Sequence, residues 1–129
     1  MRVQLVSPEH VLYEGEADMV IARTLGGGDI AFLRGHAPFV GALATWPVEL
    51  VLPDRARMRF AVCGGFVEVS GEAVSILSDV AELPDQIDVE RARAAKARAE
   101  ERLQRDPDDA EAAAALRRAE VRLQVAGAA

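Results

Sequence analysis

Between Arg2 and Ser78 the apolar positions fall in short runs that alternate with polar ones: RVQLV, HVLYE, DMVIAR, DIAFL, PFVGALA, PVELVL, MRFAVC, FVEVS and AVSILS. Clusters of turn-forming residues separate them, namely SPE, GGG, PDR, CGG and SGE. A two-residue period broken at close intervals by glycine, proline and aspartate predicts many short strands, hence an all-β sandwich or barrel. The clearest hairpin is SGEA, where Gly71 accepts the positive φ of a tight turn between FVEV and VSIL. Beyond Pro84 the period lengthens to about 3.6 residues, the spacing of an amphipathic helix. Asp88 is the expected N-cap of a first helix, with Val89, Ala92, Lys96, Ala99 and Leu103 along one side and Arg91, Arg98, Arg102 and Arg105 as a stripe on another. A second helix is expected to start at Asp106 as N-cap with Pro107 in the first helical position. So short a connection makes the two helices an antiparallel hairpin, with Leu116, Ala119 and Leu123 facing Ala99 and Leu103.

Composition sharpens this division into a β domain over residues 1–84 and a C-terminal helical hairpin domain over residues 85–129. All six aromatic residues and nine of ten glycines precede residue 85, whereas 14 alanines and nine of 15 basic residues follow it. A buried Leu or Val contributes about 1.5–3 kcal/mol, against about 1–2 kcal/mol of backbone entropy for each ordered residue. An alanine-lined seam buries little area, so the hairpin is expected to be marginal alone and to need docking against the β part or a partner.

Charge and candidate chemistry exclude several function classes. The net charge of -6 repels phosphate backbones, and the helical part is neither net basic nor aromatic, so no nucleic acid is expected as a partner. The single Cys63 allows no intramolecular disulfide and fits a reducing compartment, and two histidines cannot build a three-histidine zinc site. The most apolar stretch, APFVGALATWPVELVL, is interrupted by Pro38, Pro47 and Glu49, so no direct membrane insertion is expected. LGGGDI leads into a strand-like run without a nearby lysine and therefore reads as a turn rather than a phosphate loop. No serine stands in a G-x-S-x-G elbow, and no enzyme signature is present. The arginine stripe has two readings: a solvated face interleaved with Glu100, Glu101 and Glu120, or a compact anion site in which Arg91 converges with Arg118 and Arg122 on a phosphate.

Three stretches, GGGDIAFLRGHAPFVGAL, GGFVEVSGEAVSILSDVAE and IDVERARAAKARAEERL, taken in this order and spacing, resemble the epsilon subunit family of bacterial F-type ATP synthases, called delta in mitochondria. The resemblance covers nearly the whole chain. It implies a sandwich of about ten strands that binds the gamma subunit and sits on the c-ring, followed by two helices. In a compact position the helices pack on the sandwich, and extended they reach the alpha and beta subunits and block ATP hydrolysis. It therefore implies a non-catalytic rotor component, peripheral on the cytoplasmic face of the cell membrane, with no required cofactor or metal.

ATP is the regulatory ligand that the resemblance implies. The I/L-D-x-x-R-A motif stands here as Ile87, Asp88, Arg91 and Ala92, preceded by Glu82 and joined by Arg118 and Arg122 from the second helix. The resemblance also assigns Asp29, Arg34 and His36 to the c-ring interface. Ala31 and Arg34 depart from the Gly and Pro usual there, and Arg34 adds a positive charge where the ring would approach. The alternative reading is a stand-alone nucleotide-sensing regulatory module, which would bind ATP and ignore gamma in a pull-down.

Overall fold

The structure, a computed structural model, describes residues 1–128. Ten strands form two five-stranded sheets. The first sheet contains β1 (Arg2–Val6), β2 (Val11–Glu16), β5 (Phe39–Ala42), β8 (Phe66–Ser70) and β9 (Ala73–Leu77). Its order is β2-β1-β9-β8-β5, with β1 and β9 parallel and the other pairs antiparallel. The second contains β3 (Met19–Thr24), β4 (Gly28–Leu33), β6 (Thr45–Val51), β7 (Arg57–Cys63) and the two-residue β10 (Ala81–Glu82), in the order β10-β7-β6-β3-β4. A 3-10 turn, Pro84–Gln86, leads into α1 (Val89–Arg105) and α2 (Ala110–Val125). The sandwich and helical hairpin are those expected from the change of period.

The core follows from strand alternation. In β8, Val67 and Val69 point inward while Phe66, Glu68 and Ser70 are exposed, and β9 answers with Val74 and Ile76. Phe32, Phe60, Leu50 and Val62 fill the space from the opposite sheet. Alternation fails where an outer face is also covered. Phe60, Ala61 and Val62 are consecutive buried residues of β7, and Pro47 and Val48 are both buried in β6. Ala61 is covered by Ile87, Val121 and Val125, which form a second apolar cluster with it. The hairpin therefore lies against the outer face of the second sheet, with α2 against β6 and β7.

Turn chemistry sets two local conformations that matter for stability. Gly26 and Gly28 have positive φ in the β3–β4 hairpin, so GGG is a turn, as its sequence context suggests. Arg55, in the β6–β7 connection, has φ +74° and is the sole non-glycine residue with positive φ among the described residues. Its amide donates to Leu52 O, and Asp54 Oδ1 accepts from the Ala56 amide. A side chain in this left-handed region costs about 1–2 kcal/mol, part of which glycine would return as unfolded-state entropy. Arg55→Gly is expected to raise the urea midpoint through a gain of about 0.5–1 kcal/mol. A lower midpoint would show that the arginine side chain stabilises the turn by more than its backbone conformation costs.

Candidate functional site

The site is built where the end of the sandwich meets both helices. Asp88 stops the preceding extended chain and caps α1, its Oδ1 accepting from the Arg91 amide at 3.1 Å. That cap fixes the phase of α1. Arg91, Arg98 and Arg102 then share one face, and eleven residues at about 1.5 Å rise each spread them over about 16 Å. Ala92 and Ala99 are buried in the seam against Ala112 and Ala119 of α2, and their small side chains let the two backbones approach closely. Leu103 and Leu116, expected in the seam, are half-buried, so alanines make most of it.

Between the helices and the chain leading into them lies a cavity of about 520 Å³. Glu82, Gln86 and Asp88 line it together with Arg91, Arg98, Arg102, Arg118 and Arg122, and Ala92, Ala95, Ala99, Ala115 and Ala119 form its floor. Its volume falls in the range of small-molecule sites, about 300–1,000 Å³. Six of the seven residues expected at a nucleotide site are thus brought together: Glu82, Asp88, Arg91, Ala92, Arg118 and Arg122. Ile87 is elsewhere. It is buried against Ala61, Val121 and Val125, where it fastens the hairpin to the sandwich. Arg98 and Arg102 belong to the cavity although only the helical spacing of the stripe pointed to them. Arg105, the stripe's last member, turns away and pairs with Glu101.

The five guanidinium groups are not equivalent. Arg122 Nε donates to Glu82 Oε1 at 2.5 Å, a half-buried pair joining α2 to β10. Arg102 is held by Asp109, with Nε and Nη2 at 3.0–3.2 Å from its carboxylate oxygens. Arg91, Arg98 and Arg118 have no carboxylate within ion-pair reach among the described residues. Three unneutralised cations around one concavity suit a compact polyanion, since charge-assisted hydrogen bonds from guanidinium are the strong ones.

The helix connection corrects one expectation. Asp109, rather than Asp106, caps α2, accepting from the Ala112 amide at 2.9 Å. Asp106 O instead accepts from the Asp109 amide, so Pro107 occupies the second position of a tight turn rather than the first of the helix. The Ala112 amide, and after it Arg102, hold the Asp109 carboxyl below the usual carboxylate range. Its folded pKa is depressed, so its contribution to the hairpin is complete above about pH 4, the unfolded value, and is lost as pH falls through the folded value. Cys63 lies near the cavity on β7. Burial pushes its thiol up against the opposing charge of Arg122, which keeps it a packed side chain rather than a thiolate.

The three residues expected at a ring-facing surface are not one cluster. Asp29 stands at the start of β4, where Arg23 Nε donates to Oδ1 at 2.9 Å, and the Arg23 guanidinium lies 3.6 Å from the Trp46 ring centroid. Arg34 and His36 follow the other end of that strand, about 13 Å along it. Arg34 is not an unpaired positive charge, because Nη1 lies 3.4 Å from Glu72 Oε2 in the β8–β9 turn. His36 packs edge-on against Phe32 with ring centroids 4.9 Å apart.

Comparison with known proteins settles the family. Residues 1–84 match the family described as ATP synthase, Delta/Epsilon chain, beta-sandwich domain, and residues 85–127 match its long alpha-helix domain. The chain belongs to the ATP synthase delta/epsilon family. It is 50% identical over 103 residues to the ATP synthase epsilon chain of Brevibacillus brevis, covering 80% of this chain and 77% of that one. With the epsilon chain of Halalkalibacterium halodurans it shares 45% identity over 131 residues, covering 98% and 97%. A chain of the Euglena gracilis mitochondrial ATP synthase has a similar fold, with a TM-score of 0.71, 23% identity and coverage of 98% and 76%. A chain of the Tetrahymena thermophila mitochondrial ATP synthase central stalk and c-ring gives 0.59, 16%, 99% and 96%. A sandwich followed by paired helices is thus the architecture of this delta/epsilon chain, and these two chains share its fold. Among the described residues no helix is long and apolar enough to cross a membrane.

Proposed function

We propose that the chain is a non-catalytic central-stalk subunit of a proton-translocating ATP synthase. In this reading the sandwich joins gamma to the c-ring on the cytoplasmic membrane face, and the hairpin is a releasable brake on ATP hydrolysis that reaches alpha and beta when extended. ATP is the ligand that keeps the brake folded down. The observation that carries this reading is the cavity itself, which exists only while α1, α2 and the chain around Glu82 are together. A polyanion bound there is in contact with all three elements, so its binding free energy opposes release of the arm. Asp29, Arg34 and His36 are assigned to the c-ring contact, with Arg34 presented as an ion pair with Glu72.

Linkage gives the magnitude. A ligand that binds only the docked state stabilises it by RT ln(1 + [ATP]/Kd), about 1–3 kcal/mol when ATP exceeds Kd by roughly five- to a hundredfold. ATP is therefore expected to slow amide exchange in α1 and α2 by that same factor, and Arg91→Ala is expected to abolish the protection. Equal protection in the variant would remove Arg91 from the site, and no protection of the parent chain would remove ATP from the proposal.

A further inference from the structure

The cavity has a polarity. Glu82, Gln86 and Asp88 line it where the chain enters α1, whereas Arg98 and Arg102 lie about two and three turns beyond Arg91. An anionic tail is repelled by the carboxylates and drawn toward the far end, with Arg98 and Arg118 unpaired on the way. Arg102 is the outermost cation of that face, and it is occupied. Its guanidinium makes three contacts to Asp109, at 3.2, 3.2 and 3.0 Å. Asp109 has a separate reason to be where it is, because it caps α2 through the Ala112 amide. The cap holds the carboxylate beside Arg102 through a contact that lies outside the cavity.

We infer that Asp109 sets the affinity and phosphate-count selectivity of the cavity by withholding Arg102 from the outermost phosphate of a bound nucleoside polyphosphate. This rests on the nucleotide reading of the cavity. Asp109 is a positioning residue: it acts through Arg102 and competes with the ligand for it. The pair is exposed enough for exchange, with side-chain accessibilities of 46% for Arg102 and 23% for Asp109. A triphosphate extends further toward Arg102 than a diphosphate, so freeing Arg102 favours the triphosphate selectively. Because the competition is between exposed charges, its effect shrinks as salt rises over the range in which the Debye length falls from about 10 to 3 Å.

The test is isothermal titration of the full chain with ATP and with ADP at low salt, using variants that keep the cap. Asparagine and serine cap helices about as well as aspartate but cannot hold Arg102 as an ion pair. Asp109→Asn and Asp109→Ser are expected to bind ATP about three- to tenfold tighter, as one added hydrogen bond of ordinary net strength at an exposed site allows, with ADP affinity changed less than about twofold. Adding Arg102→Ala to either should erase the gain. Parental ATP affinity in both variants overturns the inference, as does a gain that persists without Arg102. Loss of helical circular dichroism in both overturns it too, since Asp109 would then hold the hairpin together rather than tune it. Arg91→Ala separates the two levels. ATP binding abolished by Arg91→Ala but untouched at Asp109 refutes only the role of Asp109, whereas a parent chain that takes up no ATP refutes the nucleotide reading as well.

Discussion

Gly65→Ala is expected to destabilise the sandwich by about 3–5 kcal/mol, at the upper end of single-substitution effects. Gly65 has φ +113°, and a Cβ built there would stand 2.0 Å from Leu77 O and 3.0 Å from Leu77 C and Ser78 Cα. All three are backbone atoms of β9 and its exit, so no side chain can rotate away. The neighbouring strand would have to move, yet Phe66 is already paired with Leu77, and Gly65 O accepts from the Leu43 amide just past the end of β5. Gly64 is the internal control. It also has positive φ, +79°, but its added Cβ would meet nothing closer than Leu43 O at 4.0 Å. Gly64→Ala should therefore cost only the left-handed backbone penalty, about 1–2 kcal/mol. Chemical denaturation of the two variants checks the contrast, and equal losses would place the cause in backbone conformation alone.

This same GGFVEV stretch shows why parts of the fold are legible in the sequence. Strand alternation is a local property, so Val67 and Val69, Val74 and Ile76 identify themselves as one face without knowledge of the partner sheet. The run MRFAVC does not, because Ala61 is buried on the outer face by α2, sixty residues later. The turn between the helices shows a different limit. DPDDA offers three aspartates and a proline that satisfy both helix-start and β-turn preferences. Only the fold decides, giving Asp109 the cap and Asp106 the turn.

The site divides in the same way. Arg91, Arg98 and Arg102 are readable as one face from helical spacing, but the pairing of Glu82 with Arg122 joins residues 40 positions apart, and no local pattern encodes it. The family resemblance named both residues without saying that they meet. Ile87 shows the converse: its neighbours in the motif line the cavity, while its own side chain serves the dock. Opening the cavity and releasing the arm are therefore coupled through consecutive residues. Release of the arm takes Ile87 off the sandwich and, with it, Asp88 and Arg91 away from Glu82 on the other wall of the cavity.

That coupling makes the dock the most sensitive point for the arm, and Val121→Asp is expected to release it. Val121 is 2% exposed, held between Ile87, Val125 and Ala61, and it points away from the alanine seam toward the sheet. The substitution forfeits about 1.5–3 kcal/mol of apolar burial and places a carboxylate where desolvation costs several kcal/mol more. The arm avoids both by leaving the sheet, so the total loss is capped at the docking free energy. Amides of residues 89–125 should lose protection while the denaturation midpoint of the sandwich stays within about 1 kcal/mol of the parent value. If the released arm is a brake, a complex reconstituted with this variant hydrolyses ATP more slowly, and excess ATP restores little of the rate, because the polyanion cavity is not assembled. Helical amides as protected as those of the parent chain would show that the apolar cluster does not hold the hairpin. Released helices with unchanged hydrolysis would show instead that the free arm does not act on the catalytic subunits.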